Sequence, residues 1–164
     1  MKRYIKSAIT NIFDEDPEVR EQIAKDPRTT AAILVQLADD AHCYVRSYVA
    51  ENPNTPVDTL KQLACDPSQG VRGSVAMNPN TTDQIFQILA NDYDRWVRKM
   101  VASHTKDKVL LEKLAQDDDP EIRWSVAYNL NTPADILGGL LYDTDEDTRQ
   151  QARWSLNDLG YTGD

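Results

Sequence analysis

An all-α fold, a solenoid of short paired helices, is what this 164-residue chain predicts, and three observations predict it. The sequence repeats itself with a period of 26 residues. Within each repeat the apolar residues fall at the three- and four-residue spacings of a helix, not at the alternation of a strand. Most repeats also carry a stop-and-restart signal built from Asn, Pro and Thr, which divides the unit into two helices, each too short to be stable without neighbours.

The register is set by six arginines, Arg20, Arg46, Arg72, Arg98, Arg123 and Arg149, with a one-residue contraction in the unit that begins at His104. Six residues before each stands an aspartate: Asp14, Asp40, Asp66, Asp92, Asp117 and Asp143. The residue before each arginine is Val19, Val45, Val71, Val97, Ile122 or Thr148, and three residues after it stand Ile23, Val49, Val75, Val101, Val126 and Ala152. Both columns predict core. The next column, Ala24, Ala50, Ala76, Ala102 and Ala127, is small where two helices approach closely, until Arg153 replaces it in a terminal unit whose outer face must be soluble. The other half of each unit reads Leu34, Leu37, Ala38, then Leu60, Leu63, Ala64, then Phe86, Leu89, Ala90, then Leu111, Leu114, Ala115, and last Leu137, Leu140, Leu141. The expected organisation is a single domain over 1–164. A capping unit over 1–25 precedes repeats over 26–51, 52–77, 78–103, 104–128 and 129–154, and a tail over 155–164 follows.

In Asn52-Pro53-Asn54-Thr55-Pro56 the first Asn suits the left-handed conformation that ends a helix, and Pro53 prevents continuation. Thr55 suits the N-cap of the next helix, Pro56 its first turn, and Asp58 the positive end of its dipole. The signal recurs at Asn78-Pro79-Asn80-Thr81 and Asn129-Leu130-Asn131-Thr132-Pro133, and more loosely at Asp26-Pro27-Arg28-Thr29. The paired Asp and Arg columns read as a structural ladder, each Asp accepting from loop amides and from an Arg of its own or the adjacent unit. An anion-binding ladder is the functional alternative, and recurrence of the pair in every unit, caps included, speaks for the structural one.

The stretch "NPNTPVDTLKQLACDPSQGVRGSVAMN" resembles the leucine-rich-repeat-variant family, relatives of HEAT-like helical repeats, and the resemblance covers about Asp14 to Trp154. It implies a right-handed superhelix of two helical layers, one α and the other often short or of 3₁₀ type. Some members carry a cysteine-ligated iron-sulfur cluster ahead of their repeats. This chain has only Cys43 and Cys65, so that cofactor is not carried over and none is expected.

Composition narrows the partners. A formal net charge of -9 and a pI near 4.7 disfavour nucleic acid and anionic lipid. Six of the eighteen Lys and Arg belong to the ladder, leaving twelve scattered against twenty-seven acids, with no basic stripe for phosphates. In "MKRYIKSAITNIF", Lys6, Ser7, Thr10 and Asn11 interrupt the apolar run, so neither a secretory core nor a membrane span can form, and the segment reads as a capping helix. Two cysteines without CxxC spacing fit a reducing compartment, and the expected location is cytoplasmic. Arg153 and the polar tail argue against open-ended stacking, so a monomer or weak dimer is expected.

No phosphate loop, nucleophile elbow or His-Glu-x-x-His motif is present, and no catalytic residue is expected. His104 reads as a helix-end residue, and Cys65 as a partly buried one. Cys43, His42 and Cys65 match no metal-ligand spacing. The runs Asp117-Asp118-Asp119 and Asp143 to Asp147 lack the EF-hand pattern and read as a solvated edge.

The positions two before, one after, two after and five after each arginine lie opposite the core stripe and hold what the repeat leaves unexplained. They carry Tyr44, Tyr48, Met77, Trp96, Met100, Trp124 and Tyr128, a composition suited to binding a partner. Trp154 falls there too, with packing under the C-terminal segment as its alternative, and Glu51, Glu121 and Asp147 would rim the face with negative charge. The expected function is a non-enzymatic interaction module or scaffold presenting an aromatic groove to a protein or peptide of basic or mixed charge. A HEAT-like protein that binds DNA lesions is the second reading, opposed by the charge, and a metal- or cofactor-associated subunit the third.

Overall fold

The computed structural model describes residues 14–161. The capping helix expected over 1–13 lies outside the described residues, as do 162–164. Among the described residues the chain is all helical, without strands. The first helices of the repeats are α2 (Ala31–Leu37), α4 (Val57–Leu63), α6 (Asp83–Leu89), α8 (Lys108–Leu114) and α10 (Ala134–Leu140), each of seven residues. The second helices are α1 (Pro17–Lys25), α3 (Cys43–Glu51), α5 (Gln69–Met77), α7 (Arg95–His104), α9 (Pro120–Tyr128) and α11 (Glu146–Asp158). Both sets are α-helical. The resemblance left room for a 3₁₀ layer, and here the shorter layer is α throughout its described length.

The described residues form two compact units, divided between Ile85 and Phe86. In the first, α1 packs on α3 and α3 on α5; in the second, α7 packs on α9 and α9 on α11. These contacts are made by the predicted columns. Val45, Val71, Val97 and Ile122 are fully buried, and so are Val49, Val75, Val101 and Val126. The alanines Ala24, Ala50, Ala102 and Ala127 are equally inaccessible, since only a methyl group fits between backbones this close. Thr148 stands in the Val column, buried, with its hydroxyl 2.8 Å from the Asp145 carboxylate. The last helix runs four residues past Trp154 because Leu156 continues the buried stripe, and Gly160, at φ 85°, ends it.

The Asp and Arg columns join consecutive repeats inside each unit. Arg46 donates through Nε and Nη2 to both carboxylate oxygens of Asp66, at 2.6 and 2.9 Å, and through Nη1 to the Asp40 carbonyl at 2.8 Å. Asp66 in turn accepts the Ser68 backbone N–H at 2.8 Å. Arg20 meets Asp40 in the same way, and in the second unit Arg98 meets Asp117 and Arg123 meets Asp143. Each arginine thus clamps its own loop and the next one, with a bidentate geometry that lysine could not supply.

The Asn-Pro-Asn-Thr segment works differently from its sequence reading. No non-glycine residue among those described has positive φ, and Asn52 is extended, at φ -68° and ψ 127°. Its side chain crosses to the preceding repeat and donates to the Ala24 and Asp26 carbonyls at 2.7 and 3.0 Å. Asn78 does the same to Ala50 and Asn52, and Asn129 to Ala102 and Thr105. Ser155 takes this position in the last helix and donates to the Ala127 carbonyl. His104, at the corresponding place, instead turns Nδ1 to the Met100 carbonyl of its own helix. Nor does Thr55 cap the following helix. Its hydroxyl bonds back to the Val49 carbonyl, as Thr29, Thr81 and Thr132 bond Ile23, Val75 and Val126, and Pro56 occupies the N-cap. The reason is burial: these carbonyls are sealed from water by the next repeat, so a side-chain donor must reach them.

Several outcomes follow from these networks. Arg46→Met leaves the Asp66 carboxylate buried and unpaired and costs about 3–5 kcal/mol in urea unfolding. Lys108→Met breaks an exposed pair with Asp135 and costs less than about 1 kcal/mol. Asn78→Ala strips the donor from two buried carbonyls and costs about 2–3 kcal/mol, whereas Asn80→Ala, whose side-chain amide donates to the exposed Pro53 carbonyl, costs under about 1 kcal/mol.

A further outcome concerns pH. Burial raises Asp40 and Asp117, but the hydrogen bonds from Arg20 and Arg98 and from the His42 and Asp119 N–H groups outweigh it and hold both below the usual carboxylate value. Arg123 holds Asp143 below it too, against burial. The unfolded chain therefore takes up protons first. This stabilisation is complete above the unfolded value of about 3.9 and disappears as pH falls through the lower folded values. The urea midpoint is expected to lose this contribution only below about pH 4.

Candidate interaction site

Helical geometry sorts the four variable columns of the second helices. The positions two before and five after the arginine turn outward, and the position one after is half-buried at Ser47, Lys99, Trp124 and Gln150 and buried at Gly73. The position two after does not turn outward: Ser74, Ser125 and Gln151 are buried there. At 3.6 residues per turn this column lies only about 60° from the Val column before the arginine, on the flank that meets the neighbouring second helix. Tyr48 and Met100, expected on the open face, are consequently half-buried. Tyr44, Met77, Tyr128 and Trp154 are exposed, and Trp96 and Trp124 are half-buried.

The first unit holds Tyr44, Tyr48 and Met77. The Tyr44 ring tilts against His42 at 5.6 Å, and the Lys25 ammonium sits 3.8 Å above the centre of the Tyr48 ring. Glu51, expected on an acidic rim, accepts a hydrogen bond from Ser74 at 2.9 Å. On α5 the columns that carry Trp96 and Trp124 in the second unit are Gly70 and Gly73.

The second unit brings the tryptophans together. A cavity of about 360 Å³ is lined by Trp124 and Trp154, the carboxylates of Glu121, Asp145 and Asp147, Lys99, Gln150 and Pro120. A smaller recess of about 120 Å³ is lined by Arg95, Trp96, Lys99, Asp119, Glu121 and Ile122. The two share the Lys99–Glu121 ion pair, 2.8 Å long, which ties α7 to α9. Trp124 is held by Tyr128 one turn along, the rings 5.2 Å apart and 9° from parallel.

Local rules place the acids. Asp145 is the N-cap of α11, Glu121 and Asp147 lie in first turns, and the helix dipole favours negative charge at all three places. The Lys99 hydrogen bond, aided by the charges of Lys99 and Arg95, lowers Glu121, and the Thr148 hydroxyl lowers Asp145, so both are ionised at neutral pH. Lys99 and Gln150 went unnoticed in the sequence although they share the Trp124 column, one residue after the arginine. Their polarity hid them. Trp154 stays open instead of packing under the C-terminal segment.

The remaining chemical candidates stay apart. Cys65 is exposed, not partly buried, and Cys43 is a free thiol. No group of three or more His, Cys, Asp or Glu among the described residues could hold a metal ion. Asp117 and Asp143 serve the ladder, while Asp119 and Asp145 cap α9 and α11. No described helix is long and apolar enough to cross a membrane.

A family model described as leucine rich repeat variant matches residues 45–68. Among solved structures, the chain is similar to a leucine-rich repeat variant with a novel repetitive protein structural motif. The identity is 31%, the TM-score 0.71, and the match covers 96% of this chain and 66% of that one, so the chain spans just under two thirds of its length. A designed armadillo repeat protein in complex with the peptide (KR)4 matches at 14% identity and TM-score 0.58, over 92% of this chain and 97% of that one. An engineered protein matches at 13% identity and TM-score 0.60, over 96% of this chain and 99% of that one. These two likenesses show the helical-repeat fold alone. Comparison with the curated proteins gave no match. With the 26-residue repeat recurring in both units, the family-model match over 45–68 and the 31% identity, the chain is a helical repeat protein similar to the leucine-rich-repeat-variant family.

Proposed function

We propose that the protein is a non-enzymatic interaction module that holds an extended basic peptide or protein segment against the second helices of its second unit. The observation that carries this reading is the Trp124–Trp154 cavity, where two indoles and three carboxylates line one recess. Aromatic rings in a partly desolvated recess are the usual anchors of binding energy. Carboxylates already ionised there favour a cationic partner, as does the net charge of -9. The same fold, in the designed armadillo repeat protein, is found in complex with the peptide (KR)4.

Trp96, Trp124, Trp154 and Tyr128 are the direct contacts in this reading. Tyr48 and Met100 support the face from its flank, and Tyr44 and Met77 are further contacts on the first unit. The acidic surface opposes nucleic acid, and a cytoplasmic monomer or weak dimer suits the two free thiols and the charged Arg153 in the Ala column.

The test is titration of fluorescein-labelled (KR)4 into wild type and a Trp124→Ala/Trp154→Ala variant. The expected result is binding by wild type and a loss of about thirtyfold or more in the variant, with unchanged far-ultraviolet circular dichroism. Equal binding by the two proteins, or binding of duplex DNA in preference to the peptide, overturns the reading.

A further inference from the structure

We propose that the Trp124–Trp154 cavity receives one arginine side chain of the bound segment, and that Lys99 is a built-in competitor which the arginine displaces from Glu121. This rests on the interaction reading above and specifies its occupant. Among the side chains lining the cavity are three carboxylates, Glu121, Asp145 and Asp147, against one ammonium, that of Lys99. The cavity therefore has negative charge to spare, and Lys99 neutralises only part of it. Asp145 is already engaged by the Thr148 N–H and hydroxyl, both at 2.8 Å, so the carboxylate that can exchange partners is Glu121.

The Lys99–Glu121 pair is built to exchange. Both side chains reach solvent, at 34% and 58% exposure, unlike the ladder pairs, whose partners are almost sealed. Exposed pairs are weak, so replacing one cation by another costs little. Arginine has the advantage over lysine: its flat guanidinium stacks on an indole while its N–H groups bond a carboxylate. Trp124 is held in place by Tyr128 before anything arrives. The first unit already displays the same attraction within the chain, where the Lys25 ammonium sits over Tyr48. The 360 Å³ volume is near the lower limit for ligand sites, which suits one long side chain better than a free-standing organic ligand.

The experiment compares (KR)4 with the same peptide carrying citrulline for every arginine, which keeps shape and removes that charge. Both are titrated into wild type, Lys99→Met, Lys108→Met, Glu121→Gln and the Lys99→Met/Glu121→Gln double variant. Lys108 serves as control because it also pairs with a carboxylate in an exposed setting, on a first helix away from the cavity. Lys99→Met is expected to tighten (KR)4 about fivefold, Lys108→Met to leave it within about twofold, and the Lys99 effect to vanish once Glu121 is Gln. The citrulline peptide is expected to show no response to Lys99.

Equal tightening by Lys99→Met and Lys108→Met reduces the effect to overall charge and overturns the inference. A Lys99 response that survives Glu121→Gln overturns the exchange, and an equal response with the citrulline peptide overturns arginine as the occupant. Binding of (KR)4 that is indifferent to Lys99 but lost on Trp124→Ala/Trp154→Ala sinks this inference alone. No binding of either peptide by any of these proteins sinks the interaction reading beneath it.

Discussion

A nine-residue helix leaves about four N–H and four C=O groups without intrahelical partners, nearly as many as it pairs inside, and this protein is built almost wholly from helices of that length or shorter. Satisfying those ends is the constraint on which the rest depends. The N-termini of α1, α7, α9 and α11 are met by Asp16, Asp94, Asp119 and Asp145. The C-termini are the harder case, because the next repeat shuts water out, and there the donors come from Asn52, Asn78, Asn129 and Ser155 of the following repeat. Stacking thus both creates the buried carbonyls and delivers the groups that satisfy them. An isolated repeat would have neither its apolar stripe covered nor its ends paired.

The arginine clamps extend the same logic to the loops. Each guanidinium binds the carbonyl of its own loop and the carboxylate of the next, so the position of one repeat determines that of its neighbour within a unit. With loops, core columns and helix ends all committed, the columns left without a structural duty are those that face outward. Evolution can vary them without disturbing the stack, and that is where the tryptophans gather. The freedom is unequal: the column two after the arginine is squeezed between neighbouring second helices, so it accepts Ser more readily than a large ring.

The contrast between committed and uncommitted ion pairs separates structure from function here. Arg46–Asp66 and Arg123–Asp143 are almost shut off from solvent, and their geometry leaves no vacancy for a ligand. Lys99–Glu121 makes one open contact at the edge of a recess lined by indoles. Counting charges along the chain treats these pairs alike, and only their surroundings reveal which can exchange partners.

Periodicity alone was enough to set the paired helices, the core columns and the ladder's members, because apolar spacing and recurrence are properties of order along the chain. The roles of Asn52 and Thr55 were not legible, since a residue suited to ending its own helix looks the same as one that reaches into the preceding repeat; burial of Ala24 O decides between them. The cavity was half legible. Trp124 and Trp154 announced themselves as aromatics where the repeat demands none, and Glu121 and Asp147 as acids on the same face, but Lys99 and Gln150 did not, and the lining is drawn from three successive second helices whose residues lie far apart in sequence. What the order of residues determined was the repeating unit; what the tertiary structure decided was which side chains from different units share one space, because that depends on the packing distance and rotation between neighbouring helices and not on any single repeat.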